Sequence, residues 1–131
     1  MASTKQNILW TVFLFVYLSL IFYLSSLSKL PVHYTFNNED KFFHFAEYAV
    51  LGIIFYFNFK GGHSKIFRIF IALLILSYPI LDEWHQSFVP GRDSSIFDAM
   101  TDYLGITLGF FTLRYFFGGR NEKNIRDRKD S

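Results

Sequence analysis

No cysteine occurs in the sequence, which excludes a disulfide framework and a thiolate metal site. Proline is scarce, at three residues, and the formal net charge is only +2. So small a net charge identifies no partner, and nothing in the charge pattern calls for nucleic acid. No internal repeat is evident. The first apolar run is longer than the core of a secretory signal, and only Ser25-Ser26-Leu27-Ser28 after it approaches a small-x-small cleavage signal. That run is therefore expected to remain as an uncleaved helix. What the chain has instead is apolar length. Of its 131 residues 51% are hydrophobic and 18 are Phe, concentrated in long stretches that read as lipid-facing helices.

A helix needs roughly 20 mostly apolar residues to cross a hydrocarbon core about 30 Å thick. Four stretches approach this: about 8–27, 42–59, 66–84 and 96–117. The sequence thus predicts an all-α, multi-pass cell-membrane protein, a four-helix transmembrane domain over 1–117. After Gly118-Gly119, residues 118–131 read as a polar, disordered cytoplasmic tail. Its basic residues would each contribute about 1 kcal/mol at an anionic lipid surface.

Charge placement sets the expected orientation. Four spans put Lys5, Lys60, Lys65, Arg68, Arg114, Arg120, Lys123, Arg126, Arg128 and Lys129 on one side, against Lys29, Lys41 and Arg92 on the other. Lys and Arg favour the cytoplasmic side, so both termini are expected there. Eight of the eleven acidic residues gather instead at the outward-facing ends, and acidic residues contribute little to topology. Their position calls for another explanation.

Three clusters carry them. In the first, Asp40, His44 and Glu47 fall on one helical face, with Lys41 and Tyr48 flanking His44. A carboxylate at mid-bilayer costs about 2.5–3.5 kcal/mol, so Glu47 should face the bundle interior. The plainer reading makes Lys41 and Tyr48 interfacial anchors. The second cluster holds Asp82, Glu83 and Gln86, then Pro90-Gly91 at the centre of an expected type II turn that returns Arg92 over the bundle. Pro79 should free the carbonyl of Ile75. Arg92 reads either as a structural ion-pair partner or as an anion clamp. The third cluster begins with Ser95-x-x-Asp98, a capping-box pattern with Asp in place of Glu. Asp102 lies one turn deeper, on the same stripe as Asp98, Gly105 and Gly109. Glycines four apart permit close helix approach, which turns both aspartates inward.

Taken in order, Asp40-Lys41-x-x-His44-Phe-x-x-Tyr48-x-x-Leu51-Gly52, Asp82-Glu83-x-x-Gln86-x-Phe88-x-Pro90-Gly91-Arg92 and Asp98-x-x-x-x-x-x-Gly105-x-x-x-Gly109 resemble the VanZ-like family over about 40–110. The resemblance implies a small multi-pass bacterial membrane protein. The family's namesake raises resistance to the lipid-bearing glycopeptide teicoplanin. Members usually carry Asn where this chain has Asp102. The added carboxylate is expected to be neutralised by desolvation or paired with Arg92 or Lys41.

Two principal readings follow. In the first the protein is an enzyme acting on an anionic lipid or lipid-linked envelope intermediate. Lys41 and Arg92 hold a phosphate, with Tyr48 and Gln86 as further contacts. His44, oriented by Glu47, serves as acid/base. Asp82, Glu83 and Asp98 bind a divalent cation, or Glu83 and Asp98 act directly. In the second the same residues recognise a membrane lipid, a glycopeptide or a partner membrane protein without reacting, and Asp40, Asp82 and Asp102 form a supporting acidic network. A small proton-coupled carrier, completed as a homodimer, is a third. The sequence leaves the choice open.

Overall fold

The computed structural model of the chain describes residues 4–27, 39–92 and 94–129, with side chains throughout except at 39–40 and 119–129. The side chain of Asp40, together with Lys29 and Asp93, therefore lies outside the described residues. Four helices make up the fold: α1 (Thr4–Ser25), α2 (Glu39–Lys60), α3 (Lys65–Gln86) and α4 (Ile96–Lys129). No strand occurs among the described residues. All four predicted helices are present. The end of α4 differs from expectation, since the helix continues through Gly118-Gly119 to Lys129, where a disordered tail was expected. Hydropathy marks where apolar residues stop, but a helix has no need to stop there. Residues 120–129 are rich in Arg and Lys, which are good helix formers, and basic residues near a helix C-terminus complement its dipole.

Register between helices fixes their directions. Trp10 and Tyr17 of α1 meet residues 58 and 47 of α2, so these two run antiparallel. Lys41 and His44 of α2 meet residues 98 and 102 of α4, so these run parallel. Tyr103 of α4 reaches Leu76, and Ser95 reaches Glu83, so α4 opposes α3. The bundle is therefore up-down-up-down. Helix α2 is the hub and contacts all three others, most extensively α4.

Glycine explains why α2 and α4 lie so close. A Cβ at Gly52 would strike the backbone of Ile106, and at Gly105 and Gly109 the backbones of Phe45 and Ala49. Without side chains at these three positions, the two backbones can approach directly. Leu14, Leu18 and Ile21 of α1, Leu51 and Ile54 of α2, Ile71 and Ile75 of α3, and Ile106 of α4 fill the remaining core.

The outside of the bundle is apolar and part of its inside is polar. Leu9, Val16, Phe42, Ile66, Leu73 and Leu104 are each more than half exposed, while Asn58, Asp82, Glu83, Gln86 and Asp102 are buried. Water-soluble domains rarely expose apolar patches so extensive. Two helices, Thr4–Ser25 and Lys41–Lys60, are long and apolar enough to cross a membrane. The other two carry charges in their apolar lengths: Arg68, Asp82 and Glu83 in α3, and Asp98, Asp102 and Arg114 in α4.

Candidate functional site

The ends of α1 and α3 and the starts of α2 and α4 bring the described members of all three sequence clusters to one end of the bundle. The turn that closes α3 has the predicted form. The N–H of Arg92 donates to the carbonyl of Val89 at 3.2 Å, and Gly91 has φ 82°, which glycine adopts without a Cβ penalty.

The partners differ in several places from those that sequence spacing proposed. His44 Nδ1 donates to Asp102 Oδ1 at 3.1 Å, so Asp102, not Glu47, holds the imidazole. Lys41 pairs with Asp98. Asp102 is thus partnered by His44, where Arg92 or Lys41 had been expected. Tyr48 is fully buried, and its hydroxyl donates to Asp82 Oδ2 at 3.1 Å. Gln86 Nε2 donates to the same oxygen at 3.0 Å. All of these except the Asp82–Gln86 bond cross between helices, where a sequence pattern sets the faces but not the register.

The capping box at α4 is rearranged in an informative way. The Ser95 hydroxyl accepts from the N–H of Phe97 at 3.2 Å, as a cap should. The return bond to the Ser95 N–H comes from Glu83 Oε2 on α3, at 2.7 Å, rather than from Asp98. Glu83 therefore ties the end of α3 to the start of α4, and Asp98 is left to meet Lys41.

Arg92, read from the sequence as an ion-pair partner or an anion clamp, makes no ion pair among the described residues. Its Nε donates to the carbonyl of Leu27 at 3.0 Å and its Nη2 to that of Leu24 at 2.9 Å. These carbonyls lie at the end of α1, where a cation is favoured by the helix dipole. The guanidinium thus locks the 90–92 turn onto α1.

Four residues at this end were missed in the sequence. Ser25 is buried at this end, and its hydroxyl has no partner among the described residues. Ser26 and His85 Nε2 share a hydrogen bond of 2.9 Å, and the imidazole lies against Phe22. The hydroxyl of Tyr17 donates to the backbone carbonyl of Glu47 at 2.9 Å. Ser25-Ser26 reads as a polar break after an apolar run, and Tyr17 as one more lipid-facing aromatic, so neither signals a role.

Between α1 and α2 lies a cleft of about 390 Å³. One part of its lining is apolar: Leu20, Leu24, Phe43, Ala46 and Val50. The other part is polar: Ser25, His44, Glu47, Asp82, Gln86 and Arg92. Leu20, Phe43 and Val50 are also exposed on the outer surface, so the cleft opens sideways through the apolar face of the bundle. Lys41, Tyr48, Glu83, Asp98 and Asp102 do not line it, although Tyr48 bonds to Asp82 and Asp102 to His44, which do.

These features define an all-helical protein with an apolar exterior and a buried polar cluster served by an amphiphilic cleft. A model of the VanZ/LLP1 family matches residues 5–117, and the chain belongs to that family. Family membership and the two apolar helices together mark it as a membrane protein. No curated protein and no solved structure matches the chain.

Proposed function

We propose that the chain crosses the cell membrane four times with both termini cytoplasmic. Its cleft, at the outward end, takes the polar head of an amphiphilic envelope molecule, an anionic lipid or a lipid-linked glycopeptide. The observation that carries this reading is the division of the cleft's lining. An acyl chain suits Leu20, Phe43 and Val50, which continue onto the apolar exterior, while the head reaches Arg92, Glu47 and Asp82. Alternating helix directions support the topology. They place Lys5, Lys60, Lys65 and Arg68 together at the end opposite the cleft, as the preference of Lys and Arg for the cytoplasmic side requires.

The lining also narrows the head group. Arg92 brings positive charge, whereas Ser25 Oγ, Glu47 Oε1 and Asp82 Oδ1 are polar atoms without a partner among the described residues. A head with an anionic group and several N–H or O–H donors satisfies both, as a sugar- or amine-bearing headgroup does. Teicoplanin, which joins an acyl chain to a polar glycopeptide, has the same division, and the protein contributes to tolerance of such drugs. An enzymatic reading of the same cleft draws on His44, which lines it and is held by the buried Asp102, the arrangement an acid/base needs.

Expression of the chain in a susceptible host should raise the teicoplanin concentration needed to stop growth, and leave unchanged that of a glycopeptide lacking the acyl chain. Ala46→Phe, which fills the cleft from its apolar side, should abolish the difference at equal membrane abundance. Equal susceptibility with and without the protein, or full tolerance in Ala46→Phe, would refute the proposal.

A further inference from the structure

Four carboxylate oxygens at the cleft end of the bundle are buried and have no hydrogen-bond partner among the described residues: Glu47 Oε1, Asp82 Oδ1, Glu83 Oε1 and Asp102 Oδ2. Buried acceptors in this condition raise the free energy of the folded state unless something brings them donors or positive charge. The neighbouring cations have other duties. Lys41 pairs with Asp98, and Arg92 donates to carbonyls of α1.

Two of the four carboxylates converge with an imidazole. His44 on α2, Glu83 on α3 and Asp102 on α4 each offer a ligand atom, and these atoms lie within 4.8 Å of one another. Three helices therefore contribute one ligand each. Glu83 and Asp102 are 7% and 0% exposed, and each keeps one oxygen uncommitted, since Glu83 Oε2 is taken by Ser95 and Asp102 Oδ1 by His44. Convergence and orphaned oxygens are separate observations, and they meet at the same two side chains.

The geometry points to a site for one divalent transition-metal ion held by His44, Glu83 and Asp102. One imidazole nitrogen with two carboxylates suits Zn²⁺ or Mn²⁺, whereas Mg²⁺ and Ca²⁺ prefer oxygen throughout. The ion would cross-link α2, α3 and α4. His44, which both lines the cleft and ligates, would connect it to the cleft's occupant. The site does not depend on what that occupant is, and Ala46→Phe retains it.

Full-length protein in lipid nanodiscs, stripped with chelator, is titrated with Mn²⁺ while the free-ion paramagnetic resonance signal is followed. The expected result is saturable uptake of one ion per chain, with histidine nitrogen coupling in the bound spectrum. Glu83→Gln and Asp102→Asn, which keep side-chain shape, should each weaken binding by about tenfold or more. Asp98→Asn, which removes a carboxylate at the same end but outside the triad, should weaken it far less. No saturable uptake, or a bound spectrum without nitrogen coupling, overturns the proposal on the wild-type protein alone. Equal loss in all three variants overturns it as well, by showing a diffuse acidic patch. Metal binding retained in Ala46→Phe together with lost drug tolerance separates this site from the cleft reading.

Discussion

Valine in place of Gly109 should leave little folded protein in the membrane. A Cβ at this position lands on the carbonyl of Ala49, which is backbone inside a helix and has no rotamer by which to move away. Gly105 and Gly52 meet α4–α2 backbone in the same way, so relief at one crossing point is blocked by the other two. Overpacking of cores costs about 1–3 kcal/mol when side chains can adjust. Here the helices themselves must separate, which puts the expected cost at or above the upper end of that range. The loss would also pull apart Lys41–Asp98 and His44–Asp102, which span the same interface. Gly118→Ala serves as the control, because a Cβ there meets only the Arg114 side chain, at 3.7 Å. Size-exclusion elution and thermal unfolding in detergent should show Gly109→Val aggregated or much less stable, and Gly118→Ala like the parent. A Gly109→Val protein with unchanged melting would contradict close α2–α4 packing.

His44→Ala should be the most damaging substitution within the polar cluster. It removes the partner of Asp102, whose side chain is fully buried. Breaking a buried pair by deleting one member costs about 3–5 kcal/mol, because the remaining charge stays without compensation. Asp102→Asn removes the charge but keeps an acceptor for the His44 N–H, so its cost should be much smaller. In the double variant His44→Ala with Asp102→Asn, the charge that made the single change so costly is gone, and part of the lost stability should return. A thermodynamic cycle across these variants measures the coupling directly. Additive effects would mean that the two residues do not act as a pair.

Much of this architecture was legible in the sequence because it depends on local quantities. Apolar length located four helices. The stripe of Asp98, Asp102, Gly105 and Gly109 identified the face that α4 turns inward, and Gly105 and Gly109 do contact α2. Pro90-Gly91 gave the turn. Pairings were not legible, because they depend on the relative heights of separate helices. Glu47 is as well spaced as Asp102 to reach His44 by sequence, yet the α2–α4 register brings Asp102 there. The Ser95-x-x-Asp98 pattern looked self-sufficient until Glu83, twelve residues earlier, arrived from α3 to supply its second half. Arg92 stands among carboxylates in the sequence, but in space the carbonyls of Leu24 and Leu27 at the end of α1 are the acceptors it meets. The end of α4 escaped for a different reason, since hydropathy reports solvent preference and not backbone conformation.

The proposed place of this polar cluster, at the extracytoplasmic end of a four-span bundle, is directly testable because the chain has no native cysteine. Single cysteines are placed at Phe88, exposed at the cleft end, and at Ser64, exposed in the turn between α2 and α3. Intact cells are then treated with a membrane-impermeant maleimide. The account predicts labelling of Phe88→Cys in intact cells and of Ser64→Cys only after the membrane is opened. Labelling of Ser64→Cys in intact cells, with Phe88→Cys protected or equally labelled, would contradict it.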